Sequence, residues 1–215
     1  MARCERLSSP IGGDWKLTKG SAFTKVLRFH AGESLKSGVS LRNFKGTRWN
    51  GSSFWSPPPQ GVLKFNYDGA FKSPSSKAAF GVIARDDGGS ARWWFAGKCV
   101  ASSALFVEAW ALRIACKATH DMGVSNVQFE TDCLQLVNCV RDANLDTPWE
   151  IYAIVEDIRA LSVQCNWNFI WCSRKQNKAG HWLAHCSFMS RLNCYSNCPV
   201  NLRRIIEEDV IVPTE

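Results

Sequence analysis

Three carboxylates occupy places where a protein core would be expected. Asp68 closes the strand-like run Leu63-Lys64-Phe65-Asn66-Tyr67 and is followed by Gly69-Ala70. Glu108 lies inside an apolar helical stretch, and Asp132 follows the run Val127-Gln128-Phe129-Glu130-Thr131. Burying a bare carboxylate is costly unless a partner compensates it. For three converging acids the simplest partner is a divalent cation. Hard cations such as Mg²⁺ take oxygen ligands from a few carboxylates and from the phosphate oxygens of a substrate. The acids therefore point to metal-assisted phosphate chemistry.

Each acid also has an ordinary reading. Asp-Gly is a common turn dipeptide, Asp is a common helix cap, and a lone Glu can pair with a basic side chain at the core edge. Helix geometry argues against the last. At ~100° per residue, Lys117 lies roughly 180° and Arg113 roughly 140° from Glu108. With His120 they mark the wet face, so Glu108 points into the stripe of Leu105, Ala109, Leu112 and Cys116. Asp132, at the carboxyl end of a strand parallel to the first, stands where α/β sheets place ligand sites.

Periodicity supplies the elements that must position these acids. Strands are predicted over about 62–71, 79–85 and 91–100, separated by Ser73-Pro74-Ser75-Ser76 and by the hairpin turn Asp86-Asp87-Gly88-Gly89. A helix follows over about 103–122, capped by Ser102 or Ser103 and stopped at Gly123. A strand over 126–131, helices over 133–142 and about 148–162, a strand over 167–172 and a helix over 178–191 complete the pattern. The order βββαβααβα gives an α/β fold with a five-stranded mixed sheet flanked by helices, strands four and five running parallel to the first.

The chain has 215 residues, enough for one main domain and extensions. Residues 1–54 show no sustained period and read as a basic, largely disordered arm. Trp55-Ser56-Pro57-Pro58-Pro59-Gln60-Gly61 is a stiff linker into the domain, 55–191, and residues 192–215 read as a polar tail. Residues 1–56 carry ten Lys and Arg against Glu5, Asp14 and Glu33, so the formal net charge of +7 sits there and the remainder is neutral. A basic arm suits phosphate-rich partners, and it equally suits a solvated leader with none. Most of the ten cysteines lie in apolar runs, as reduced thiols do. With no signal peptide and no membrane-length apolar run, an intracellular, reducing location follows. Nucleus or cytoplasm is expected; the Arg- and Ser-rich start also suits an organelle transit peptide.

These motifs resemble the ribonuclease H domain, most closely the plant reverse-transcriptase-associated type derived from retroelements. The similarity rests on Trp55…Pro57-Pro58…Gly61-Val62-Leu63-Lys64-Phe65-Asn66-Tyr67-Asp68-Gly69-Ala70 and Gly81-Val82-Ile83-Ala84-Arg85-Asp86. It continues through Glu108-Ala109-Trp110-Ala111-Leu112, Glu130-Thr131-Asp132-Cys133, and Arg174-Lys175-Gln176-Asn177-Lys178-Ala179-Gly180-His181-Trp182-Leu183-Ala184. It implies a hydrolase in which Asp68, Glu108 and Asp132 hold two Mg²⁺ or Mn²⁺ ions and cut the RNA strand of an RNA–DNA hybrid. It further implies that Gly69, Ala70 and Asn177 contact the nucleic acid, that the chain works as a monomer, and that no membrane is involved.

One position departs from the family. The fourth catalytic position, commonly Asp, is His181, and no equivalent of the family's mobile-loop His is evident. Imidazole suits Mn²⁺ or Zn²⁺ better than Mg²⁺. The departure implies a weak second metal and lowered or lost activity, so a non-catalytic nucleic-acid-binding module from a mobile element stands as the alternative function. Two further constellations are weaker. His181-x₃-His185 with Cys194-x₃-Cys198 has a spacing that zinc accepts. Trp93-Trp94 face opposite sides of a strand, so at most one is expected in the core, leaving the other to edge packing or to a base-stacking platform.

Overall fold

The computed structural model describes residues 54–163, 165–189 and 198–210, all within the unit from Leu35 to Glu215. All of the arm but Phe54, and with it the whole of the excess positive charge, lies outside the described residues.

Strands β1 (Leu63–Lys72), β2 (Lys77–Arg85) and β3 (Ala91–Val100) form an antiparallel meander. Helix α1 (Ala104–Met122) then crosses over to β4 (Asn126–Thr131), which pairs in parallel with β1. Helices α2 (Leu134–Arg141) and α3 (Trp149–Ser162) lead to β5 (Asn166–Trp171), parallel to β4, and α4 (Lys178–Phe188) follows. The sheet order is β3-β2-β1-β4-β5. This is the expected βββαβααβα arrangement, with element ends shifted by a few residues. Ser103 is the cap of α1, its hydroxyl accepting from the Phe106 amide at 3.0 Å, and Gly123 ends the helix at φ 67°.

Alternation along β1 divides the packing. Phe65 and Tyr67 are fully buried on one face, beneath α1. Lys64, Asn66 and Asp68 point to the other, in register with Arg85, Ile83 and Gly81. Helix α4 crosses that second face at Gly81, where an added Cβ would meet the Ala184 amide nitrogen and Leu183 Cβ at 2.4 Å. Only a residue without a side chain lets helix and sheet come this close.

Two expectations are corrected on this face. Residues 192–215, read as a polar tail, contain a further helix, α5 (Val200–Val210). Leu202 packs with Ile83, Trp94, Ala96, Ala179 and Leu183, and Ile205 and Ile206 support them. The apolar stripe is narrow, and Arg203, Arg204, Glu207 and Glu208 disguise it. The helix also explains Trp93 and Trp94. Both are buried, one on each face, because helices cover the sheet on both sides; neither is an exposed stacking platform.

A polar network fastens α5 and the linker to the sheet. The fully buried Arg85 donates to Asp209 Oδ2 at 2.7 Å and to Asn66 Oδ1 at 2.9 Å, and lies 3.5 Å from the ring centre of Trp55. Trp55 Nε1 donates to the same Asn66 oxygen at 2.9 Å. Asn66 reaches Glu130, which pairs with Lys64 at 2.7 Å. No disulfide joins the eight described cysteines to one another. None of the described helices is long and apolar enough to cross a membrane.

Removing one partner of a buried ion pair strands the other charge. Asp209→Ala is therefore expected to lower unfolding stability by about 3 kcal/mol in urea denaturation. Glu208→Ala, which breaks only the exposed pair with Arg204, should change it by less than about 0.5 kcal/mol.

Candidate metal centre

The β1–β4 register builds the site. Asn66 pairs with Glu130 in parallel, so the residues two further along, Asp68 midway along β1 and Asp132 just past the end of β4, stand side by side. Glu108 arrives from α1. Its approach depends on Gly69, where an added Cβ would lie 2.6 Å from Val107 Cγ1 and 2.9 Å from the Glu108 amide nitrogen. The result is one cluster: one ligand oxygen from each of Asp68, Glu108 and Asp132, all within 4.8 Å of one another. The three acids distant in the chain do meet.

Neutral donors fix the cluster. The Gly69 amide donates to Glu108 Oε1 at 3.2 Å, and the Thr131 hydroxyl to Glu108 Oε2 at 3.3 Å. Asn177 Nδ2 donates to the Tyr67 carbonyl at 2.8 Å and to Asp132 Oδ1 at 3.1 Å. Asn177, expected to contact nucleic acid, is fully buried and ties Asp132 to β1. Gly69 and Ala70 are half-buried beside Asp68. His181 is at the cluster: its Nδ1 lies 2.8 Å from Asp68 Oδ2, in the direction of a ring N–H donating to the carboxylate. Arg174 reaches Asp132 Oδ2 at 3.2 Å. Thr131 and Arg174 were given no role from sequence. Both sit inside recognisable motifs, but nothing in their spacing announces where their side chains turn.

Electrostatics make the arrangement tense. At 4.8 Å and an effective dielectric of ~20, two full charges repel by about 3.5 kcal/mol. Glu108 is accordingly held protonated well above the usual carboxylate range, first by burial and then by the negative charges of Asp68 and Asp132. The neighbouring Cys133 thiol is pushed up to about 11 by burial, so it offers no thiolate. An all-oxygen donor set of this charge fits a hard divalent cation. Zinc at His181, His185 and Cys198 gains no support. Among the described residues the three acids form the only group of at least three His, Cys, Asp or Glu able to share an ion, and Cys194 lies outside those residues.

Residues 66–187 match the family model described as reverse transcriptase-like. The chain belongs to that family. No curated protein matches the chain by sequence. Among solved structures, the ribonuclease H1 of Halobacterium salinarum is similar at 18% identity and TM-score 0.56, over 60% of this chain and 98% of that one. The N-terminal ribonuclease H domain of rv2228c from Mycobacterium tuberculosis is similar at 14% and 0.56, over 60% and 95%. LC11 ribonuclease H1, solved with an RNA/DNA hybrid, is similar at 14% and 0.55, over 61% and 99%. At these identities the likeness establishes the fold, which is ribonuclease H-like.

The raised Glu108 pKa has a signed consequence. Folded Glu108 keeps its proton to higher pH than the unfolded chain, whose glutamates titrate near 4.5. Between those values the folded state binds more protons, so stability falls as pH rises through the window. Glu108→Gln should raise the metal-free Tm at pH 8, by roughly 2–4 °C per kcal/mol of repulsion relieved, with little effect at pH 4. Thermal melts of both proteins across pH check this.

Proposed function

We propose that this domain is a divalent-metal-dependent nuclease that hydrolyses the RNA strand of RNA–DNA hybrids. The observation that carries the reading is the convergence of Asp68, Glu108 and Asp132 within 4.8 Å. The ribonuclease H-like fold, and a structural neighbour solved with an RNA/DNA hybrid, support it. Asp68, Glu108 and Asp132 would hold Mg²⁺ or Mn²⁺, two ions in the full arrangement. When bound, the metal supplies a water of lowered pKa and charge stabilisation at the leaving 3′ oxygen.

The chain's own residues then have distinct tasks. Thr131 and the Gly69 amide orient Glu108. Asn177 orients Asp132 and braces it against the strand carrying Asp68. Gly69 and Ala70 lie where a hybrid backbone can approach, and the basic residues before position 57 add sequence-independent affinity for phosphates.

His181 favours a second reading. It stands at the position where the family commonly has a fourth carboxylate, and its Nδ1 is engaged by Asp68. A site short of one acid holds a second cation weakly, which suits a non-catalytic module of mobile-element origin that binds nucleic acid without cutting it.

A labelled hybrid incubated with the protein in Mg²⁺ or Mn²⁺ separates the two. Cleavage that disappears in Asp68→Asn supports the nuclease; hybrid binding without cleavage selects the module. His181→Asp is expected to raise Mg²⁺-dependent cleavage roughly tenfold or more, since it restores a hard oxygen ligand. Equal rates for the variant and the unaltered protein would mean His181 is not limiting.

A further inference from the structure

Two side chains of the chain itself, one of them a guanidinium, already face the acidic cluster. His181 meets Asp68, and Arg174 Nη1 meets Asp132. The second guanidinium nitrogen of Arg174 lies 3.1 and 3.3 Å from the two nitrogens of the His181 ring. The guanidinium, which carries only N–H donors, thus lies against the imidazole ring whose Nδ1 is turned to Asp68. His181 and Arg174 thus meet the cluster from its exposed side, with the Arg174 side chain 63% exposed and that of Asp132 only 16%.

Arg174 is presented there by a braced turn. The Ser173 amide and hydroxyl both donate to Gln176 Oε1, at 2.9 and 3.0 Å. Gln176 Nε2 donates in turn to the Phe54 carbonyl at 3.2 Å. The Gln176 and Asn177 amides close onto the Ser173 carbonyl at 2.9 and 3.1 Å. Buried Gln176 and Asn177 therefore hold the backbone from which Arg174 projects toward Asp132.

We propose that Arg174 is a resident counter-ion of the acidic cluster, competing with divalent cations for Asp132 and thereby setting how tightly this chain holds metal. The inference rests on the reading of the cluster as a metal site. Its physical basis is charge balance. With a guanidinium on Asp132, part of the repulsion that would draw in a cation is already neutralised, and an incoming ion must displace that contact. Arg keeps its charge at every accessible pH, so the competition does not switch off. The partial exposure of the pair limits its strength, because water screens it.

Mn²⁺ titrated calorimetrically into the full-length protein tests the idea. Arg174→Gln should bind Mn²⁺ roughly three- to fivefold more tightly than the unaltered protein, the size expected for a partly screened ion pair. Arg174→Lys, which keeps the charge, should stay nearer the unaltered affinity. Lys175→Gln, the same charge change one residue away, should lie within about twofold of it. A gain of affinity cannot come from a damaged fold. Asp68→Asn should abolish the binding, which places the ion at the cluster. If Arg174→Gln binds no more tightly than Lys175→Gln, the counter-ion role is overturned while the cluster remains a metal site. If neither the unaltered protein nor Arg174→Gln binds Mn²⁺, or if binding survives Asp68→Asn, the metal-site reading fails and this inference fails with it.

Discussion

Mutual repulsion among three acids is the constraint around which this domain is arranged. Left to themselves the carboxylates would separate, and the fold prevents it at three points. Pairing of Asn66 with Glu130 fixes the two aspartates on neighbouring strands. The missing side chain at Gly69 lets α1 bring Glu108 down. Asn177 spans Tyr67 and Asp132. Stability is given up locally to keep charge concentrated, a pattern expected where a site must be ready before its ligand arrives. The remainder of the molecule, a sheet covered on both faces with a core of Phe65, Tyr67, Ile83, Leu112 and Phe129, offsets that local cost.

The chain tempers the same repulsion from outside. Glu108 holds its proton, His181 lies on Asp68, and Arg174 lies on Asp132. Burial keeps the proton on Glu108, the imidazole makes a hydrogen-bond contact with Asp68, and the guanidinium brings a permanent positive charge to Asp132. A carboxylate at position 181 would push the balance the other way, towards greater demand for metal.

Much of this was legible in the sequence. Alternation along residues 62–71, the Ser103 and Gly123 caps, and the buried direction of Glu108 each follow from a period of 2 or 3.6, and local rules suffice for them. The convergence of the acids was legible because each ends or interrupts an apolar element where a charge is out of place. What was not legible depends on contacts across long sequence separations. The helix at 200–210 has too few apolar residues to declare itself until Ile83 and Trp94 are known to need covering. The nucleic-acid contact expected of Asn177 came from the family resemblance, and no local rule tells that its amide also turns inward to the Tyr67 carbonyl and Asp132. The expectation that at most one of the two adjacent tryptophans lies in the core failed for the same reason: alternation tells which face a side chain takes, not whether that face is covered.

Arg85 has a further consequence. Trp55 stacks on one side of it and Asp209 pairs with its end, although 154 positions separate these two neighbours in the chain. The beginning and the end of the folded unit are therefore fastened to a single side chain. A module whose two ends emerge together can be spliced into a loop of a larger polypeptide as a cassette, or be circularly permuted, without stretching the host across it.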